Sequence, residues 1–353
     1  LHPVSVAEAV QLAGRHKQAR LVAGGTALQL EWARGIAQPE TLISLRRIAG
    51  IDGVSMVDGA LRIGGLTRLS VLSDNPAIAT DLPMLRAAAL SVAAPSIRNL
   101  GTIGGNIAGR TGCLLPALLA LNATLEIQGA DGVRREPIAD WLSLPPVPGE
   151  VIASVLVTPM SASLRWTQRK IGLRAAFTPS IIGVAGLLDL SRDRIDKARL
   201  AVGGGSVAAK RLGEIEETLI GASLPAIDWQ QLRDRIAAAI DAPGDDFRSG
   251  RYRRLAAANA LVHGLGHVFL TEPKRAHARS DGGQAPAGEV AVTRQAQSQR
   301  WHQRPDVKDK AAGTLHYLTD HRQPGMLVGR ILRAGIPHAR IVSIDTREAE
   351  ALP

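Results

Sequence analysis

The chain has 353 residues, 45% of them apolar and 21% charged, enough for two or three domains with cores of their own, and no apolar run is long enough to span a bilayer. The net charge is +10, but the basic residues are scattered, 3% of residues are aromatic and no groove-reading or base-stacking motif occurs, which argues against a nucleic-acid partner. A single cysteine, Cys113, excludes an internal disulfide and an iron–sulfur cluster held by this chain alone, so any cluster sits on a partner; a reducing, cytoplasmic setting is compatible with that count.

The first residue is Leu, not Met, and no signal-peptide order follows it, so the sequence reads as a fragment or a trimmed gene model. Residues 6–16 have a helical, Ala/Leu-rich pattern, and 19–23 read as a short buried strand that runs into Gly24-Gly25-Thr26. A helix over 28–34 and a strand over 41–44 complete a βαβ unit that is expected to end near Asp52. Residues 54–67 alternate on both sides of Asp58-Gly59, which signals a hairpin. Helices are expected over 69–75, 83–92 and 115–121, and a strand over 124–128 that turns at Asp131-Gly132. Pro145-Pro146-Val147-Pro148-Gly149 punctuates the chain before a domain boundary near 158. Residues 165–202 hold three strand-like runs, then 209–221 and 229–240 look helical and 252–267 forms a long amphipathic helix. From 271 to 303 the composition shifts to Gly, Ala, Gln, Ser and charges, a flexible linker, with structure resuming near Arg304.

Two glycine segments carry the chemistry. Ala23-Gly24-Gly25-Thr26-Ala27 lies between a strand and a helix, where glycines let the backbone approach a ligand and free N–H groups attract an anion such as pyrophosphate. Thr102-Ile103-Gly104-Gly105-Asn106 repeats that chemistry and adds a hydroxyl donor on Thr102 and both a donor and an acceptor on Asn106. Neither matches GxGxxG or GxxxxGK[ST], so the Rossmann and P-loop readings lack their motif.

Taken together, Ala23-Gly24-Gly25-Thr26, Ile63-Gly64-Gly65-Leu66-Thr67, the run from Ile97-Arg98-Asn99 through Gly101-Thr102-Ile103-Gly104-Gly105-Asn106, and Leu115-Pro116-Ala117-Leu118-Leu119 resemble the FAD-binding subunit of the xanthine dehydrogenase and carbon monoxide dehydrogenase family. Arg169-Lys170-Ile171-Gly172, Ile182-Gly183-Val184-Ala185-Gly186 and Tyr252-Arg253-Arg254 resemble that family's C-terminal flavoprotein domain, so the likeness covers residues 1 to about 268. It implies an α+β chain: an FAD-binding fold of two subdomains, of the p-cresol methylhydroxylase and vanillyl-alcohol oxidase type, over 1–53 and 54–158, then a smaller flavoprotein domain over 159–270. It also implies non-covalent FAD held by Ala23, Gly24, Gly25, Thr26 and Ala27 with Thr102, Ile103, Gly104, Gly105 and Asn106, and Leu66 and Lys170 nearer the isoalloxazine. The implied partners are an iron–sulfur subunit and a molybdopterin-binding subunit, with NAD⁺ or another acceptor taking the electrons.

Departures from the family pattern are informative. Many relatives carry an Asp after the second glycine segment, where this chain reads Gly109-Arg110-Thr111-Gly112-Cys113-Leu114; Thr178 stands where Asp is frequent and Ser96 where Gln is common. His263 and His267 share a helix face at i, i+4, and without a third ligand they read as surface residues. Residues 304–353, with Lys310-Ala311-Ala312-Gly313-Thr314 and Pro337-His338-Ala339-Arg340, resemble the start of the family's molybdopterin-binding large subunit, too short to hold a molybdenum site. Two rivals remain: an inactive truncated scaffold without functional flavin, and a free-standing flavin oxidase, which would need a covalent attachment context that no His or Cys here provides.

Overall fold

A computed structural model describes residues 1–33, 35–161, 163–173, 178–245, 247–270, 307–317, 320–327, 329, 331 and 340–351, the side chains of 267–270, 307 and 311 excepted. The chain divides into two compact units, 1–273 and 274–353.

The first unit opens with helix α1 (Val6–Arg15), whose N-cap Ser5 accepts from the Glu8 N–H while the Glu8 carboxylate takes the Val4 N–H. Strand β1 (Arg20–Val22), helix α2 (Thr26–Ala33) and strand β2 (Leu42–Ser44) follow, and β1 pairs with β2 in parallel, as the βαβ pattern requires. Val6, Ala9, Ile43, Leu45, Ile48 and Ile51 form a small core for this layer, closed by Val151 from a later strand.

Strands β3 (Val54–Val57) and β4 (Ala60–Gly64) form the expected hairpin, with Asp58 at φ 49° and Gly59 at φ 75°. Both turn residues are left-handed, the backbone that matches the twist of the flanking strands. Helices α3 (Leu69–Asp74), α4 (Pro76–Asp81), α5 (Pro83–Leu90), α6 (Pro95–Arg98), α7 (Ile103–Ala108) and α8 (Leu115–Ala120) follow, then β5 (Thr124–Gly129), β6 (Gly132–Pro137), α9 (Ile138–Ser143) and β7 (Val151–Val157). The strands form an antiparallel sheet in the order β3-β4-β7-β5-β6. Its core runs from Leu61 and Ile63 through Leu115, Leu118 and Leu119 to Val155.

The second sheet is the antiparallel order β11-β10-β9-β8, built from β8 (Arg165–Ile171), β9 (Ile182–Ser191), β10 (Arg194–Gly204) and β11 (Val207–Arg211). Helices α10 (Gly213–Leu219), α11 (Trp229–Ala239) and α12 (Gly250–Leu270) cover it through a separate core that includes Ile182, Val184, Ile215, Ile236 and Leu261. The buried Glu216 accepts from the Leu200 N–H at 2.7 Å and from the Arg211 guanidinium, which ties α10 to β10 and β11. The buried Arg253 donates to the Ile181 carbonyl at 3.1 Å and to Asp245, pinning the start of α12 to the start of β9.

The structure departs from expectation in several places, and helices α6, α7 and α9 had no expected counterpart. Residues 207–211 form strand β11, so the helix expected over 209–221 begins only at Gly213. The alternating burial of Val207 and Ala209 against the exposed Ala208 and Lys210 is the strand period, which an Ala-rich run disguises as helix. The turn after β5 lies at Ala130-Asp131, one residue earlier than expected, because Gly129 pairs with Gly132. Strand β7 has no counterpart among the expected elements: it lies between β4 and β5, and five of its seven residues are buried, so it shows no clean alternation. Helix α4, started by Pro76 and capped by Asn75, was likewise not expected.

In the second unit the described residues include helix α13 (Val307–Ala312) and the single turn α14 (Arg347–Glu350). The linker expected over 271–303 and the His267 side chain lie outside the described residues. Among the described residues no helix is long and apolar enough to cross a membrane.

Candidate functional site

The first glycine segment turns out of β1 into α2. Ala23, Gly24, Gly25 and Thr26 are half-buried, Ala27 is exposed, and Gly25 adopts φ +70°, a conformation natural to glycine. Among the described residues the backbone N–H groups of Gly24, Gly25, Thr26 and Ala27 donate to no protein acceptor. Four unpaired donors around the start of one helix form an anion cradle.

The second segment is a helix, not a loop. Thr102 is the N-cap of α7, and its hydroxyl oxygen accepts from the Gly105 N–H at 3.1 Å. The Ile103 N–H donates to the Thr67 carbonyl at 3.0 Å, Gly104 to Gly65 at 2.9 Å and Asn106 to Thr102 at 3.0 Å. The N–H groups of Ile103, Gly104, Gly105 and Asn106 are therefore already taken. Uncommitted among the described residues are the hydroxyl hydrogen of the buried Thr102 and the amide NH₂ of the half-buried Asn106, while Gly105 is exposed. Asn106 offers less than expected, because its carbonyl oxygen already accepts from the Leu114 N–H at 3.1 Å. The Ile103 side chain is fully buried in the core.

The two segments meet. A β-carbon on Gly24 would lie 2.0 Å from the Leu100 carbonyl oxygen, and one on Gly101 would lie 3.5 Å from the Thr26 hydroxyl. Gly65 stands under the second segment, since a β-carbon on Gly104 would approach its carbonyl to 2.7 Å. Leu66, half-buried, follows Gly65 and donates its N–H to Ile51 at 2.7 Å. The glycine motif Ile63-Gly64-Gly65-Leu66-Thr67 is thus a shelf that carries α7.

Lys170 lies on β8. Its ammonium donates to the Ser91 carbonyl at 2.9 Å and the Thr178 carbonyl at 2.7 Å, which among the described residues leaves one hydrogen uncommitted. The Lys170 charge is felt at Cys113: burial pushes the Cys113 thiol up, and Lys170 and a hydrogen bond from the Ser180 backbone only partly offset this. Two open clefts elsewhere, of about 420 and 410 Å³, are lined by residues such as Gln231 and Asp234 or Arg248 and Tyr252, and hold no residue of the glycine segments.

The residue types fit a dinucleotide: unpaired N–H donors on one side, a hydroxyl and an amide on the other, and glycines wherever a side chain would block the approach. The family model described as the FAD binding domain in molybdopterin dehydrogenase matches residues 1–159, and the CO dehydrogenase flavoprotein C-terminal domain matches residues 170–268. The nicotine 6-hydroxylase medium subunit of Paenarthrobacter nicotinovorans is 30% identical over 256 residues, 71% of this chain and 90% of that protein. The chain belongs to the FAD-binding medium subunits of the molybdenum hydroxylases.

This medium subunit is also 31% identical to the carbon monoxide dehydrogenase medium chain of Hydrogenophaga pseudoflava, over 74% of its own length and 92% of that chain. A solved structure of carbon monoxide dehydrogenase from the same organism, lacking the Mo-pyranopterin moiety of its cofactor, contains a chain that superposes with a TM-score of 0.71 at 27% identity, covering 76% of this chain and 96% of that one. The matched family domains fall within residues 1–268, the extent of the sequence resemblance. Gly65, Arg98, Arg110 and Gly112 all stand in the quoted segments, but sequence reasoning gave them no part in holding the glycine segments of the medium subunit in place. A β-carbon on Gly112 would strike Asn106, and its signal was only a further glycine near the motif.

Proposed function

We propose that the medium subunit holds FAD by its pyrophosphate between the segment Ala23, Gly24, Gly25, Thr26 and Ala27, with its four free N–H groups, and the Thr102–Asn106 start of α7, and relays electrons within a molybdenum hydroxylase. The observation that carries this reading is the direct contact of the two glycine segments with four unpaired N–H donors on one side. Thr102 gives its hydroxyl hydrogen, Asn106 its amide hydrogens, and Gly104 and Gly105 give clearance for the backbone to come close. Leu66 and Lys170 are assigned to the isoalloxazine side, where the last uncommitted hydrogen of Lys170 is available to an acceptor.

When bound, FAD supplies two-electron chemistry, and the chain supplies binding, orientation and electrostatics. No side chain is assigned as a general acid or base. Electrons arrive from iron–sulfur clusters on one partner, fed by a molybdopterin-binding partner, and leave to NAD⁺ or another acceptor. The relatives support this division of labour by name, being medium subunits or chains. A cytoplasmic setting goes with the single cysteine. The proposed divisions at 53, 158 and 270 follow the sequence resemblance; the cores join across them, with Val151 closing the first and Ala185, Leu187, Ala201 and Ala209 entering the second. Residues 304–353 are proposed as the start of a large-subunit sequence.

Affinity purification of the tagged full chain from cells that also make its partner subunits tests the reading. A complex with flavin and iron–sulfur absorption, in which both bleach on reduction, is the expected result. A chain that never associates with an iron–sulfur protein contradicts the relay.

A further inference from the structure

Two arginines flank the second glycine segment, and each grips the C-terminal end of a different helix. At the entry, Arg98 ends α6, and its Nη1 donates to the Val92 carbonyl at 2.9 Å and the Ala93 carbonyl at 3.0 Å, with the Leu90 carbonyl at 3.5 Å. Leu90 is the last residue of α5, whose end carries the negative pole of its dipole, while Val92 and Ala93 lie in the segment that leaves it; the Ser91 carbonyl between them takes Lys170. At the exit, Arg110 follows α7. Its Nη1 donates to Leu144 at 2.6 Å and Leu142 at 3.3 Å, and its Nη2 donates to Trp141 at 3.2 Å, all carbonyls at the end of α9. Its guanidinium also stacks 4.2 Å from the centroid of the Trp141 ring.

Both clamps hold backbone in an unusual conformation. Ala93, gripped by Arg98, has φ +42°, and Arg110 itself has φ +54°. Left-handed backbone at residues with side chains persists where the surroundings over-determine it, as at ligand clamps. Neither arginine is within the group assigned to touch FAD, yet between them they fix both ends of the stretch that carries Thr102, Gly105 and Asn106.

We infer that Arg98 and Arg110 are positioning residues for FAD, anchoring the second glycine segment to α5 and α9 so that its donors are set before the cofactor arrives. This rests on the assignment of the glycine segments to the flavin. The two clamps differ in a testable way. Arg98 makes all its contacts through one nitrogen, which a lysine ammonium can imitate. Arg110 uses both terminal nitrogens and a flat face, which lysine cannot.

The test is FAD titration into the full-length apo-protein, read by flavin fluorescence, with visible circular dichroism of the bound flavin and melting without FAD as companion readouts. If loosening leaves about one molecule in ten competent, Arg98→Ala and Arg110→Ala each raise the Kd for FAD about tenfold. Arg98→Lys restores both the affinity and the dichroism, whereas Arg110→Lys remains as weak as Arg110→Ala. Wild-type affinity in the alanine variants overturns the inference, and so does an Arg98→Lys protein as weak as Arg98→Ala. If Arg110→Ala fails to fold, the Arg98 pair decides. A wild-type chain that binds no FAD overturns the flavin assignment instead, a separate result visible in the control.

Discussion

The backbone of Gly24 packs directly on the carbonyl of Leu100, so closely that a β-carbon on Gly24 would lie 2.0 Å from the Leu100 oxygen. The strand-to-helix turn of the first subdomain and the approach to α7 are therefore one structure. Backbone atoms offer no easy relief, so Gly24→Ala forces the segments apart. It is expected to cost about 3 kcal/mol of stability and to abolish tight FAD binding. Gly25→Ala meets no close atom but must hold φ +70°, and costs about 1–2 kcal/mol. Thermal melting and FAD titration of both variants check the order, which reverses if the contact is unimportant.

Thr102 caps α7 through its hydroxyl oxygen, and its hydroxyl hydrogen is the group proposed to reach FAD. Thr102→Ala removes both functions and is expected to lose about 1 kcal/mol of stability along with FAD affinity. Thr102→Ser keeps both and stays near wild type. Equal FAD affinity in the alanine and serine variants would show that the hydroxyl faces no ligand.

A pH dependence follows from Glu126. Burial raises its pKa, but hydrogen bonds from Ser154, Arg135 and Arg62 outweigh that and hold the carboxyl below the usual range. A carboxyl with a lower pKa folded than unfolded favours folding when ionised. Its contribution is complete above the unfolded value, about 4.3, and is lost as pH falls through the lower folded value. Glu126→Gln should therefore narrow the gap to wild type as melting is followed downward from about pH 5. A gap that stays constant with pH contradicts this role.

Cys113 packs against the main core, and burial keeps its thiol protonated beyond the usual range. The folded protein should react slowly with a thiol reagent at neutral pH, and rapidly once unfolded. Cys113→Ser should retain FAD affinity, since no assigned contact uses the sulfur. Fast labelling of the native protein would contradict the raised pKa of this half-buried thiol.

Much of this architecture was legible in short segments with strong local signals. The βαβ unit around Gly24-Gly25 and the hairpin at Asp58-Gly59 rest on turn chemistry that only a few residue types satisfy, and both form where expected. Strand β7 was not legible, because a strand covered on both faces loses its alternation. Strand β11 was hidden by Ala208 and Ala209, which favour helix until the sheet edge at β10 claims them. The site followed the same division. The glycine segments could be found from their residues, but the spent N–H groups of α7 and the engaged oxygen of Asn106 depend on Gly65, Thr67 and Leu114, partners that no local pattern reveals. The role of Arg110 was hidden for that reason too, since its partners Trp141, Leu142 and Leu144 lie more than thirty residues on; Arg98 stands in a quoted motif, but its grip on the Val92 and Ala93 carbonyls depends on the bend that follows α5.

The most direct test is the visible spectrum of the purified full-length chain, followed by identification and quantitation of the chromophore released on denaturation. The account predicts a yellow protein with the two absorption bands of oxidised flavin, releasing FAD in about equimolar amount. A colourless protein that takes up no added FAD would contradict it, and would leave the glycine segments as turns that serve only to pack the two subdomains together.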